Sequence, residues 1–132
     1  MSRRELREQI FKLLFRIEFN DEAEMPEQMA FFFEAEEPLE DSVKEEISRK
    51  YTAVLEKKEE LDQMLDEKAT GWTVSRMGKV DLTILRLALF EMLYDDAIPV
   101  SVAINEAVEL AKKFGQAESP AFVNGILAKF AN

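Results

Sequence analysis

The sequence predicts an all-α protein, and three observations lead there. Four glycines and four prolines punctuate 132 residues, too few turn signals for several short strands. Apolar residues recur at spacings of three and four along most of the chain, the period of amphipathic helices. Apolar residues make up 47% and charged residues 33% of the chain, a balance that gives a core and a wetted surface. A chain of this length suits one compact domain or two very small ones.

Each element follows from the pattern. Residues 3–19 read as a helix, with Leu6, Ile10, Leu13, Leu14 and Ile17 in one stripe that Phe11 and Phe15 widen. Arg3 or Arg4 and Arg7 share a face one turn apart. Asn20-Asp21 closes the segment. Pro26 opens a second helix, where its missing N–H costs nothing, and the helix stops before Pro38. Its three consecutive residues Phe31, Phe32 and Phe33 cover more than one face, which predicts a helix clamped between others. Ser42-Val43-Lys44-Glu45 has the capping-box pattern. From there Val43, Ile47, Tyr51, Val54, Leu61 and Leu65 trace one helix to about Asp66, with Lys57-Lys58 and Glu59-Glu60 on a solvated face.

Ala69-Thr70-Gly71 breaks the pattern and divides the chain into two helical subdomains, residues 1–68 and 69–132. Thr73 to Met77 predicts a short helix before Gly78. Residues 80–94 carry Val80, Ile84, Leu85, Leu87, Ala88, Leu89, Met92 and Leu93; a helix apolar on most sides is the central, most buried one. Asp95-Asp96 and Pro99 end it. The next helix covers 101–114 with Ile104, Ala107, Val108 and Ala111 inside, and Gly115 stands where a left-handed cap belongs. Ser119 reads as a cap followed by Pro120 at the first helical position. The last helix carries Phe122, Val123, Ile126, Leu127 and Phe130. No repeat of fixed period is present.

Composition excludes much chemistry. The chain has no cysteine and no histidine, so it has no thiol nucleophile, no thiolate metal site and none of the commonest general base. Its glycines are isolated, which rules out a phosphate-cradling loop. Di-metal carboxylate bundles use Glu-x-x-His motifs. An all-carboxylate Mg²⁺ or Ca²⁺ site stays open, without EF-hand spacing. The expectation is no catalysis and no cofactor. No apolar stretch reaches membrane-spanning length, and the basic start Met1-Ser2-Arg3-Arg4-Glu5 leads into an amphipathic pattern and not an apolar signal core. A cytoplasmic protein without a membrane partner is expected.

The net charge of −10 is unevenly placed. Residues 1–20 hold five basic and three acidic residues, residues 21–41 hold nine acidic and no basic ones, and residues 69–132 hold six basic and seven acidic. An acidic chain repels phosphate over about 8 Å at physiological salt, yet a basic first helix makes a small patch, read from charge alone as a solvated helix end. Asn105 and Glu106 read as a buried or half-buried hydrogen-bonding pair. Asn124, early in the last helix, presents amide donors, whereas Phe122 reads as core by composition. Aromatic, arginine and amide groups at helix ends suit single-stranded RNA, but spacing alone does not assemble them into one site.

Three stretches resemble the NusB transcription antitermination factor family. They are the run Val80-Asp81-Leu82-Thr83-Ile84-Leu85-Arg86-Leu87-Ala88-Leu89-Phe90-Glu91; Pro99 with Val102-Ala103-Ile104-Asn105-Glu106-Ala107-Val108-Glu109-Leu110-Ala111-Lys112-Lys113-Phe114-Gly115; and Phe122-Val123-Asn124-Gly125-Ile126-Leu127. Trp72 and Arg76 resemble the family's Trp-x-x-x-Arg lead-in, and Arg3-Arg4-x-x-Arg7-Glu8 with Leu14-Phe15 its arginine-rich first helix. The resemblance is tight over 70–128 and loose over 21–68. It implies two helical bundles packed side by side, binding of single-stranded boxA-type RNA in ribosomal transcripts, and the small-subunit ribosomal protein NusE as partner within the RNA polymerase antitermination complex. Carried onto this chain, Arg3, Arg4 and Arg7 would hold phosphates, which positions RNA without reading it. Trp72 and Arg76 would stack and contact phosphate, Phe122 and Asn124 would stack on a base and bond its edge, and Phe15 and Asp81 would face the basic protein partner.

The chain also departs from the family. Glu5 and Leu6 interrupt the arginine run, and Ala121 stands where a lysine precedes the Phe-Val-Asn-Gly segment. Weak RNA binding by the chain alone is therefore expected, and tighter binding with its partner. The alternative is a protein-interaction adaptor of the same fold with little RNA affinity. A third reading, an accessory domain of a ribosomal-RNA methyltransferase, meets a chain that ends at Asn132 with no room for an α/β cofactor domain.

Overall fold

The computed structural model describes residues 1–35 and 38–131, so Glu36 and Glu37 of the acidic segment, and Asn132, lie outside the described residues. Among the described residues the regular structure is entirely helical: α1 (Arg3–Phe15), α2 (Met25–Ala35), α3 (Asp41–Glu56), α4 (Lys58–Lys68), α5 (Lys79–Tyr94), α6 (Val100–Phe114) and α7 (Ser119–Ala128), with 3₁₀ turns at Arg16–Glu18, Glu22–Glu24 and Val74–Arg76. The chain forms two compact units, Met1–Leu55 and Glu56–Asn132. The predicted division after residue 68 falls inside the second unit, because α4 packs on α5.

In the first unit, α1 starts on a cap that the sequence reading passed over. Ser2 Oγ accepts the Glu5 backbone N–H at 3.0 Å, and Glu5 sits at the positive end of the helix. Leu6, Ile10, Phe11, Leu13 and Leu14 are buried. The α-helix ends at Phe15, short of residue 19, and tightens into a 3₁₀ turn. The Asn20 side-chain amide then donates to the Arg16 carbonyl at 2.9 Å, satisfying a helix-end acceptor. Glu24 Oε1 accepts the Asp21 N–H at 2.8 Å and sets the entry to α2. That helix is not clamped on several faces: Phe32 is buried, Phe33 is half-buried and Phe31 is 47% exposed. In α3, the Glu40 carbonyl accepts from Val43 and Lys44, so Ser42 lies within the first turn and is not its cap. Ile47, Tyr51 and Val54 are its buried side chains. The single helix expected to Asp66 breaks at Lys57, whose φ of −100° and ψ of 2° leave the helical region.

In the second unit, α5 is the central helix the sequence predicts: every residue from Leu82 to Glu91 is buried. Helices α4, α6 and α7 pack on it, and α6 packs on α7. Of the expected buried or half-buried pair Asn105 and Glu106, Glu106 is half-buried, whereas Asn105 is exposed. Two further expectations are corrected at the α6–α7 corner. Gly115 is extended, with φ −94° and ψ −165°, and is not a left-handed cap. Its lack of a side chain serves close approach instead: a Cβ there would lie 2.6 Å from Ser119 Cβ and Oγ and 2.8 Å from the Ala111 carbonyl oxygen. Ser119 is the first residue of α7 and not its N-cap. Its buried hydroxyl accepts the Gln116 N–H at 3.0 Å and closes the corner.

Candidate nucleic-acid interface

The geometry of the second unit starts at a buried ion pair. Arg86 on α5 is 5% exposed, and its Nε and Nη2 donate to both Asp62 carboxylate oxygens at 2.7 and 2.8 Å. This two-pronged contact fixes α4 on α5. The segment leaving α4 is thereby placed. Gly71 turns it through a positive φ of 83°, a conformation that costs glycine little, and the Trp72 N–H returns to the Ala69 carbonyl at 2.9 Å. Asp66 Oδ1 accepts the Val74 N–H at 2.6 Å and pins the 3₁₀ turn that ends at Arg76.

Trp72 and Phe122 meet edge to face, with ring centroids 5.3 Å apart and an interplanar angle of 73°. Phe122 is half-buried, whereas 46% of Trp72 stays exposed. The two rings border an open hollow of about 730 Å³ whose wall includes Met77, Lys79, Asp81, Phe114, Gln116 and Glu118. Asp81 lies in the first turn of α5, where the positive helix end favours a carboxylate. The hollow brings Trp72, Phe122 and Asp81 together. Arg76 and Asn124 stand outside its wall, both exposed. Lys79, Phe114 and Glu118 were not singled out in the sequence. For Phe114 and Glu118 the signal was Gly115 followed four residues later by Ser119, the tight corner that flanks both.

The remaining predicted residues lie on the first unit. Arg3, Arg4 and Arg7 occupy the first two turns of α1, Arg3 and Arg4 exposed and Arg7 half-buried. Guanidinium groups at the positive end of a helix concentrate positive potential. Arg3 Nη1 meets Glu46 Oε1 at 3.0 Å between exposed side chains, a contact weak enough to exchange for phosphate. Phe15 is half-buried between Phe11, stacked at 6.0 Å, and Phe19, edge-on at 5.1 Å. Phe19 itself is 61% exposed. Among the described residues no cluster of acidic side chains is arranged to hold a metal ion, and no helix is long and apolar enough to cross a membrane.

Comparison with known proteins places this architecture. The model of the NusB family matches residues 4–132. The chain belongs to the NusB family. It is 52% identical to the transcription antitermination protein NusB of Agathobacter rectalis, over 99% of this chain and 100% of that protein. Among solved structures, NusB of T. maritima superposes with a TM-score of 0.86 at 33% identity, covering 99% of this chain and 91% of that one. A crystal structure of the antitermination factors NusB and NusE in complex with dsRNA shares the fold, with a TM-score of 0.85 at 22% identity over 98% of this chain and 95% of that one. The NusB fold thus accounts for the all-helical architecture that the sequence predicts, and the chain is one of a family of antitermination factors.

Proposed function

We propose that this chain binds single-stranded boxA-type RNA of ribosomal transcripts together with the small-subunit ribosomal protein NusE, as part of the RNA polymerase antitermination complex. The observation that carries this reading is the Trp72–Phe122 pair. An indole left 46% exposed against a second ring is a platform for an unstacked base, and such stacking contributes about 1–3 kcal/mol per base. Asp81 and Glu118 in the adjoining wall repel phosphate, so the hollow suits an uncharged ring. Phosphates are left to Arg3, Arg4, Arg7 and Arg76, and the exposed Asn124 amide to a base edge. Phe15 and Asp81 are assigned to the partner, whose basic character an acidic chain attracts. The solved relative in complex with NusE and dsRNA supports both classes of partner.

The test is fluorescence anisotropy of a labelled boxA RNA against a scrambled control, with and without NusE. Phe122→Ala is expected to weaken selective binding by about five- to 150-fold, the binding equivalent of one lost stacking contact. Combined with Arg7→Ala it abolishes binding, with helical content unchanged by circular dichroism. Undiminished binding by the double variant would sink the proposal. The Arg3–Glu46 contact and the net charge of −10 favour a second reading, a protein adaptor with little RNA affinity. It predicts no selective binding even with the partner present.

A further inference from the structure

Two lysines stand in a reciprocal arrangement where the ends of α4 and α7 meet. Lys68 Nζ donates to the Lys129 carbonyl at 3.4 Å, and Lys129 Nζ donates to the Lys68 carbonyl at 3.1 Å and to Thr70 Oγ1 at 3.5 Å. Each ammonium lies at the C-terminal end of the other's helix, where carbonyls point outward and the dipole is negative. Lys68 also covers the Phe130 ring at 5.1 Å. Their partners are neutral oxygens and a ring; among the described residues neither has a carboxylate partner. Lys57, Lys58 and Lys112, by contrast, are paired with Glu60, Asp62 and Glu109. On a chain of net charge −10, two exposed ammonium groups stand at one helix junction without a carboxylate partner among the described residues.

We propose that Lys68 and Lys129 form a clamp for RNA phosphodiester groups and extend the track beyond the Trp72–Phe122 platform; the inference rests on the RNA-binding reading above. The placement follows from α7. Phe122 and Lys129 are two turns apart on one side, about 10 Å at 1.5 Å per residue. That is the rise of about three stacked nucleotides. Between them Gly125 is exposed, and a Cβ there would meet nothing within 4 Å, so the strand has open room. Asp81 and Glu118 crowd the other end of the platform, which directs the charged backbone away from them and towards the lysines.

Anisotropy of labelled single-stranded boxA-type RNA on the complex with NusE tests the clamp in a salt series. Lys68→Gln with Lys129→Gln is expected to make the log–log salt slope shallower by about 1.4, two contacts at about 0.7 each. The same slope makes binding roughly tenfold weaker at about 0.15 M salt and lets the two curves converge near about 1 M. Lys68→Arg with Lys129→Arg keeps the charges and is expected to retain affinity within about twofold. Each single Gln variant is expected to make the slope shallower by about 0.7 and serves where the double one melts. If the Gln pair leaves affinity and slope unchanged while Phe122→Ala weakens binding, the clamp is overturned and the RNA reading stands. A loss of equal factor at every salt concentration also overturns it, since the lysines would then act by holding helix ends. If the wild-type complex binds no RNA, the RNA reading falls and the clamp with it.

Discussion

Single residues decide how firmly the platform is held. The Arg86 charge is buried, and Asp62 meets it with both carboxylate oxygens. Asp62→Asn removes the paired charge and is expected to destabilise the protein by about 3 kcal/mol, the low end of what breaking a buried pair costs. Lys58 reaches the same carboxylate at 3.8 Å from the surface, so Lys58→Ala is expected to cost less than about 1 kcal/mol. Urea titration of both variants checks the contrast, and equal losses would refute it. Neither partner gave a sign of this in the sequence. A pair 24 residues apart leaves no periodic trace, and Asp62 sits among charged neighbours that read as a wetted face. Tyr51 is the opposite case. Its ring is buried and its hydroxyl has no partner among the described residues, a cost of roughly 1 kcal/mol or more. Burial first, and the charge of Glu22 second, push the phenol above its ordinary value of 10.0. Below that value both folded and unfolded states keep the proton, and stability is unaffected. Above it the unfolded chain releases the proton first, so stability falls as pH rises towards the folded value. Tyr51→Phe is expected to raise the melting temperature by a few degrees and to flatten the alkaline loss. A lower melting temperature at neutral pH would show that the hydroxyl is satisfied.

At the scale of elements, two glycines of the α6–α7 region are expected to respond in opposite directions. Gly115→Ala forces a Cβ to within 2.6 Å of Ser119, and such overpacking costs about 1–3 kcal/mol. Gly125 lies inside α7 with open space where a Cβ would go. Gly125→Ala is expected to stabilise by up to about 1 kcal/mol, the difference in helix propensity. Thermal melts of the two variants moving the same way would contradict this account. The helices themselves were legible because their apolar stripes are periodic, and α5 was legible as central because it is apolar nearly all round. Their joints were less so. The break at Lys57 falls in Lys57-Lys58-Glu59-Glu60, good helix formers without glycine or proline, so nothing local announces it. Ser42 carried a capping pattern that Glu40 and Asp41 pre-empt, whereas the same spacing at Ser2 and Glu5 is the one used. Gly115 shows the general difficulty: a glycine kept for close packing looks in sequence like one kept for a left-handed turn.

At the scale of the whole molecule, charge sets how this family member is expected to meet RNA. The aromatic platform was legible only through resemblance, because Trp72 and Phe122 are 50 positions apart and Phe122 alone reads as core. The charge imbalance was legible directly. On the proposed reading Arg3, Arg4, Arg7 and Arg76 would supply few phosphate contacts, and a net charge of −10 opposes them at long range. With about 0.7 per single-strand contact, the salt slope of the isolated chain is expected to lie between about −2 and −4. Its affinity at physiological salt is expected to be micromolar or weaker. A basic partner changes both quantities: it offsets the long-range repulsion and adds contacts of its own, so the slope steepens and the affinity rises together. A salt series with and without NusE measures them separately. Nanomolar binding by the chain alone would mean that local contacts at the rings and guanidinium groups outweigh the field of the whole molecule. Tighter binding with the partner at an unchanged slope would assign the gain to ordering or to uncharged contacts, and the electrostatic account would fail.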